Sequence, residues 1–257
     1  MKSFWTKAAL GAAAIVSASL AQAAVIDFEH VNTSGAVLPP LVLDGDYFSQ
    51  GTATQGSFTF GIYDVHNASP FPDYALVGAL ANGGDATTCL DGLCPRGNTS
   101  NFMETVNDGV FFLNHGGAKL TLNSFDAAFL APAGVSIGTG TAAYLAVESD
   151  RSDGTYAVGI FALAGPTAGN TSFASYLADN ATIIGGTGSL TSGDITSIYA
   201  YAYYCNSGSC NFGTSDRGQF ALDNLSISAV PEPSSWLLLA AGLGALGVAS
   251  RRRRTAA

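Results

Sequence analysis

Between Ala24 and Ala229 no stretch sustains a helical apolar period with caps; the chain runs instead in short alternating segments cut by Gly, Asn, Asp and Ser. Period-two alternation bounded by turn residues is the signature of half-buried strands. Val25–Glu29 opens the series, and Ser57–Tyr63 places Phe58, Phe60 and Ile62 on one face. Val110–Leu113 and Lys119–Leu130 follow, the second carrying Leu120, Leu122, Phe125 and Phe129. Its apolar phase shifts at Asn123-Ser124, which predicts a β-bulge. A hairpin is expected from Ala142–Glu148 and Thr155–Leu163 around a turn at Ser149–Gly154, where Asp153-Gly154 supplies the turn chemistry. Further strands are expected near Thr182–Ile184, Thr196–Tyr204 and Gln219–Ser228, and Asn82–Asn107 reads as a long polar surface excursion. Many short strands and 31 glycines predict an all-β domain, a β-sandwich or jelly roll, and 206 residues suit one such domain.

The two ends have a different character. Met1–Ala23 has Lys2 and Lys7, an apolar run from Ala8 to Leu20, and Ala21-Gln22-Ala23. That is a secretory signal peptide with a small-x-small cleavage site, leaving Ala24 as the mature start. At the other end, residues 230–257 begin with Pro231-Glu232-Pro233 and continue through an apolar run from Trp236 to Ala249. They close on Arg251, Arg252, Arg253 and Arg254. The prolines fix two φ angles and remove two donors, which keeps the peptide extended and outside any helix or central strand. The apolar run is fourteen residues, about 21 Å as a helix, a short transmembrane span. Four arginines after it stay cytoplasmic and stop transfer.

This three-part tail resembles the PEP-CTERM protein-sorting domain of exopolysaccharide-producing Gram-negative bacteria. The resemblance implies that the helix holds the chain in the inner membrane until an exosortase, an integral-membrane cysteine protease-like enzyme, processes it near Pro231-Glu232-Pro233. Gly218–Ile227 is similar to the closing strand of many such ectodomains, and its Gln219-Phe220-x-x-Asp223 spacing matches their QFxxD type. The resemblance speaks to sorting and carries no activity with it.

Charge narrows the partners of the body. Arg96, Lys119, Arg151 and Arg217 face 18 acidic residues between Ala24 and Ala229, a formal charge of −14. A body that acidic repels nucleic acid and anionic membranes. It suits Ca²⁺, neutral sugars or cationic surfaces.

Four cysteines form two tight pairs, Cys89/Cys94 and Cys205/Cys210, which in an exported chain read as hairpin-closing disulfides. First and last strands lie side by side in many lectin-like jelly rolls, where their carboxylates hold a structural Ca²⁺. Asp27, Glu29 and Asp223 are the candidate ligands of such an ion, the one cofactor considered. The acidic stretches Asp44-Gly45-Asp46 and Glu148–Gly154 read as turn chemistry. Tyr199, Tyr201 and Tyr203 share a face of one strand and are candidate sugar-stacking residues, against the plainer reading of a core tyrosine stripe.

His30, His66 and His115 are isolated, and no catalytic motif is present. The expectation is therefore a non-catalytic, exported cell-surface or matrix protein of an exopolysaccharide or biofilm system. Its partners would be signal peptidase, an exosortase and an exopolysaccharide. A carbohydrate-binding module is the alternative, and a polysaccharide- or ester-hydrolysing enzyme is the more distant one.

Overall fold

The structure, a computed structural model, describes residues 23–33, 43–44, 52–63, 76–89, 94–132, 137–206, 209–211, 217–230 and 242–243. The signal peptide up to Gln22, the box at 231–233, all of the apolar run but Gly242 and Leu243, and the arginine cluster lie outside these residues. Among the described residues no helix is long and apolar enough to cross a membrane.

The ectodomain is all-β. In chain order the strands are β1 (Ala23–Ile26), β2 (Asn32–Thr33), β3 (Leu43–Asp44), β4 (Ala53–Gln55), β5 (Phe58–Tyr63) and β6 (Leu76–Asn82). Then come β7 (Asn101–Thr105), β8 (Val110–Asn114), β9 (Leu120–Phe129), β10 (Thr141–Arg151) and β11 (Tyr156–Ala164). The series ends with β12 (Ala174–Leu177), β13 (Thr182–Gly186), β14 (Ile195–Asn206), β15 (Ser209–Asn211) and β16 (Phe220–Ala229). All the ladders are antiparallel.

Hydrogen bonding joins all sixteen strands into one curled sheet, yet the pairing divides it into two wings. One wing runs β2-β4-β5-β8-β14-β10-β11-β13, and the other β3-β6-β7-β16-β9-β12 with β1 beside β7 on β16. The pair Ile195↔Leu120 is the ladder contact between them. The two layers of the expected sandwich are thus wings of one sheet.

What holds the wings together is aromatic and aliphatic burial. Strand parity sends Phe58, Phe60 and Ile62 inward from β5, as the alternation requires, and all are buried. Phe125 of β9 meets Phe161 of β11 edge-on at 5.0 Å, and Phe129 of β9 stacks on Tyr204 of β14 at 6.4 Å, so both contacts bridge the wings. Phe28, Phe60 and Phe111 form a fully buried triad nearby. Emptying one such site typically costs about 3–5 kcal/mol.

The bulge expected at Asn123 is there, as one of a compensating pair. Between Asp223↔Asp126 and Ser226↔Ser124 strand β16 carries the extra residue, with Asn224 at φ 49. Between Ser226↔Ser124 and Ile227↔Leu122 the extra residue is Asn123 of β9. Each bulge cancels the other's register slip, so both strands keep their apolar residues inward. Asn123 then donates to Ser228 Oγ at 2.9 Å.

Two readings need correction. The stretch Asn82–Asn107 is not wholly a surface excursion: it contains β7, a central strand paired to β6 and β16 and buried from Phe102 to Thr105. Its polar look misleads because Glu104 is accommodated between Ala79 and Ala221, two residues too small to fill the space. The Gly-rich part before it folds back, and Cys89, Cys94 and Phe173 cover Phe102, Ala81, Ala128 and Ala221 on the outer face of that wing. The β10–β11 turn is also tighter than expected, because β10 runs on through Arg151. Only Ser152 to Thr155 turn, with Gly154 at φ 82 and its N–H donating to Arg151 O. β6 had no alternation to announce it.

Candidate functional site

β14 is the spine of its wing, with β10 along one edge and β8 and β15 along the other. Ile198, Ala200 and Ala202 point into the core, which leaves Tyr199, Tyr201 and Tyr203 on the opposite face, each half-buried. The tyrosine stripe thus faces away from the core, whereas its neighbour Tyr204 is the true core tyrosine.

Register shows what surrounds the stripe. Tyr199 lies across from Phe112 on β8 and Glu148 on β10, Tyr201 from Ala146, and Tyr203 from Tyr144. Asp150 faces Ser197 one step along. Tyr63 reaches Phe112 with ring centroids 6.5 Å apart, and Tyr201 and Tyr203 lie 5.7 Å apart at a tilt.

Asp150 was expected in the turn at Ser149–Gly154, and Glu148 as the last residue of the strand before it. Both belong to β10, two residues apart and so on the same face as the tyrosines. Burial, with Asp150 beside it, holds the Glu148 carboxyl above the usual range, and burial does the same to Asp150. Tyr201 donates a long hydrogen bond of 3.5 Å to Glu148 Oε2. The phenols of Tyr63, Tyr199 and Tyr201 are pushed up first by burial; Tyr199 and Tyr203 add to the shifts of Tyr63 and Tyr201 respectively, and Glu148 adds to all three, with Asp150 also acting on Tyr63 and Tyr199. Asp153, by contrast, is a turn residue in fact: its Oδ1 accepts from Thr155 N and Oγ1, which lowers its pKa. Asp44 closes β3, and the rest of Asp44-Gly45-Asp46 lies outside the described residues.

The chain's ends do lie side by side, with β1 on β16, but Asp27, Glu29 and Asp223 do not form one group. Among the described residues no three His, Cys, Asp or Glu side chains are arranged to hold a metal. The reason is the left-handed Phe28, φ 58, which turns the chain after Asp27. Asp27 then accepts from Gln55 Nε2 at 2.7 Å, and Glu29 accepts from Asn101 N at 2.7 Å. Asp223 is fully buried elsewhere, accepting from Asn98 Nδ2 at 2.6 Å, Ser100 Oγ at 3.1 Å and Asn224 N at 2.7 Å. Asn224 Nδ2 also reaches Asp126, whose other oxygen accepts from Ser175. Asp223 ties the excursion before β7 to β16, so in Gln219-Phe220-x-x-Asp223 its part is structural.

Both disulfides form. Cys205–Cys210 closes the β14–β15 hairpin, its two residues in register, while Cys89–Cys94 lies in the excursion before β7. His115 Nε2 lies 2.6 Å from Ser57 Oγ, its ring stacked on Phe58 and its Nδ1 buried without a partner. An orphan lone pair is cheaper to bury than an orphan N–H, which puts the proton on Nε2, donated to Ser57. The contact ties the β4–β5 turn to the β8–β9 turn.

At the C-terminal exit the last ladder contact is Val230 N to Lys119 O, 3.0 Å. Pro231, next in sequence, has no N–H with which to continue that ladder. The family model that matches the chain, at residues 229–254, is the PEP-CTERM protein-sorting motif. This chain carries a PEP-CTERM sorting signal. It is therefore an exported protein, sorted to the cell surface by an exosortase.

No curated protein matches the chain in sequence. Among solved structures it is similar to the agarase AgWH50C at 11% identity and a TM-score of 0.32, over 51% of this chain and 20% of the agarase. It is also similar to the family 11 carbohydrate-binding module of the cellulosomal cellulase Lic26A-Cel5E of Clostridium thermocellum. There the identity is 14% and the TM-score 0.31, over 83% of this chain and 98% of the module. Likeness at this level says nothing of function.

Burial, with Asp126 nearby and only partly offset by hydrogen bonds, raises Asp223 to about 6. A carboxyl raised in the fold binds its proton more tightly folded than unfolded. Its contribution to stability is therefore present at low pH and lost as pH rises through about 6. Acidifying from pH 7 to 4.5 is expected to stabilise the ectodomain through this group, by at most about 3 kcal/mol. Asp223→Asn should remove that part of the pH dependence; thermal melts of both proteins across this range check it, and parallel profiles would contradict it.

Proposed function

We propose that the chain is a non-catalytic surface protein that binds a glycan through the outward tyrosine face of β14. The apolar run holds it in the inner membrane during export, the exosortase reads Pro231-Glu232-Pro233, and the released ectodomain takes its place in an exopolysaccharide layer. The observation that carries the binding reading is the row of half-buried rings, Tyr199, Tyr201 and Tyr203 with Tyr63, Tyr144 and Phe112 around them. Tyr204 is a core residue, whereas the tyrosines of this row lie on the opposite face of the sheet and keep part of their surface exposed, around a buried Phe112. Aromatic faces beside hydrogen-bonding phenols suit the apolar and polar sides of a pyranose. Glu148 and Asp150 add acceptors for sugar hydroxyls.

Two experiments test the two halves. Replacing Pro231-Glu232-Pro233 by alanines should leave an unprocessed, membrane-bound form on fractionation and immunoblotting; normal processing would overturn the sorting half. Tyr201→Ala should weaken binding to the host's own exopolysaccharide tenfold or more, about 1.4 kcal/mol, with an unchanged melting temperature. Equal affinity of variant and parent would overturn the assignment of the face.

A further inference from the structure

We propose that β13 is a self-association edge: it pairs antiparallel with the β13 of a second copy and so joins two ectodomains through their sheets. The proposal stands apart from the glycan reading and does not need it.

β13 is the last strand of its wing. It pairs with β11 on one side, and among the described residues nothing pairs with its other side. An open edge presents a row of unpaired N–H and C=O groups, which natural sheets blunt with lysine, proline or a covering segment. Thr182–Gly186 contains no charge and no proline. It is not covered either: Thr182, Ile183, Ile184 and Gly186 are all exposed. Its one irregularity is a bulge, which leaves Ile184 without an opposite number on β11 between Gly159↔Ile183 and Val158↔Gly185.

Adjacent strand residues ordinarily point to opposite faces, so one of two neighbouring isoleucines should be buried. Instead Ile183 is 45% and Ile184 53% exposed, with Leu177, at the end of the preceding strand β12, 55% exposed. None of them anchors the edge. Ala181 and Leu190 do that, lying so close over Gly159 that a side chain there would meet both, and Leu190 is fully buried. The isoleucines are spare to the fold of a single copy.

Charge argues for what covers them. Residues 154–193, which include β11, β12 and β13, hold one charged residue, Asp179, against 22 in the 206 residues of the body. Two copies of a −14 body repel one another across acidic surfaces, and this charge-poor edge gives them a place to meet. A cationic partner would be drawn to the acidic remainder instead. Antiparallel pairing of a strand with its own copy about a two-fold axis is self-complementary, packs isoleucine on isoleucine, and closes at a dimer because both edges are used. A five-residue edge makes a small contact, so the pairing is weak in dilute solution and is favoured where many copies share one membrane.

The test crosslinks the full chain in its own membranes. All four cysteines are held in the two disulfides, so a cysteine introduced at an exposed position is the one thiol open to a short bis-maleimide. Thr182→Cys, Ile183→Cys and Ile184→Cys are the probes, and Val25→Cys, 51% exposed on β1 in the other wing, is the control. At least one β13 position should give a covalent dimer on denaturing gels, and Val25→Cys should give little. Adding Ile184→Lys to the better of the other two probes should lower the dimer yield about tenfold, because two like charges replace an apolar contact, with an unchanged melting temperature. No dimer from any of the three positions would overturn the proposal, and so would a yield indifferent to Ile184→Lys. Equal yield from Val25→Cys would mark chance collision and overturn it too. Crosslinks running chiefly to other proteins would give the edge to a foreign partner and contradict it.

Discussion

The structure depends on β16. It is the last strand made, yet it lies inside its wing, with β9 along one edge and β7 and β1 sharing the other. Its pairing with β9 spans nearly its whole length and survives only because the bulges at Asn224 and Asn123 offset one another. A single uncompensated slip would turn Leu222, Leu225 and Ile227 away from the core. Asp223, at the first bulge, is held by Asn98 and Ser100 from a loop 125 and 123 residues earlier. The strand that closes the sheet thus also fixes the excursion covering its outer face.

That closure brings the export signals to one place. Ala23 and Ala24 lie opposite Ser228 and Ile227, a few residues from the last ladder bond at Val230. Ala23 and Val230, the described residues that border the N-terminal stretch read as a secretory signal and the sorting motif, therefore lie at the same end of one sheet. The opposite wing is free of these duties. There β14 shows an apolar side to the core and a tyrosine side outward, and the binding proposal concerns that outward side.

Much of this was legible in the residues. Parity gave β5, β8, β9, β14 and β16, the phase shift at Asn123 gave a bulge, and the tail announced its sorting role through three features in order. The tyrosine stripe was legible as a stripe, though which side of β14 it faced was not, because Tyr203 and Tyr204 are adjacent and alternation alone does not choose between them. β7 was missed because its burial comes from pairing on both edges and from the small residues flanking Glu104, neither of which is local. Asp150 was read as part of the turn, and Glu148 as the end of its strand, because Asp153-Gly154 is so strong a signal that it drew the boundary back from Arg151. Asp27, Glu29 and Asp223 each take separate partners, Gln55, Asn101 and the Asn98/Ser100 pair, which are distant in sequence and so not visible in the residues around them.

The central claim is that the outward tyrosines contact a ligand. The two tryptophans, Trp5 and Trp236, lie outside residues 24–229, so a protein of those residues has ultraviolet emission from tyrosine. Titrating that protein with the host exopolysaccharide while recording that emission reports directly on the face. The account predicts a saturable change that disappears when Tyr199, Tyr201 and Tyr203 are replaced by leucine. An emission that stays flat while the polysaccharide demonstrably binds would place the ligand elsewhere and contradict it.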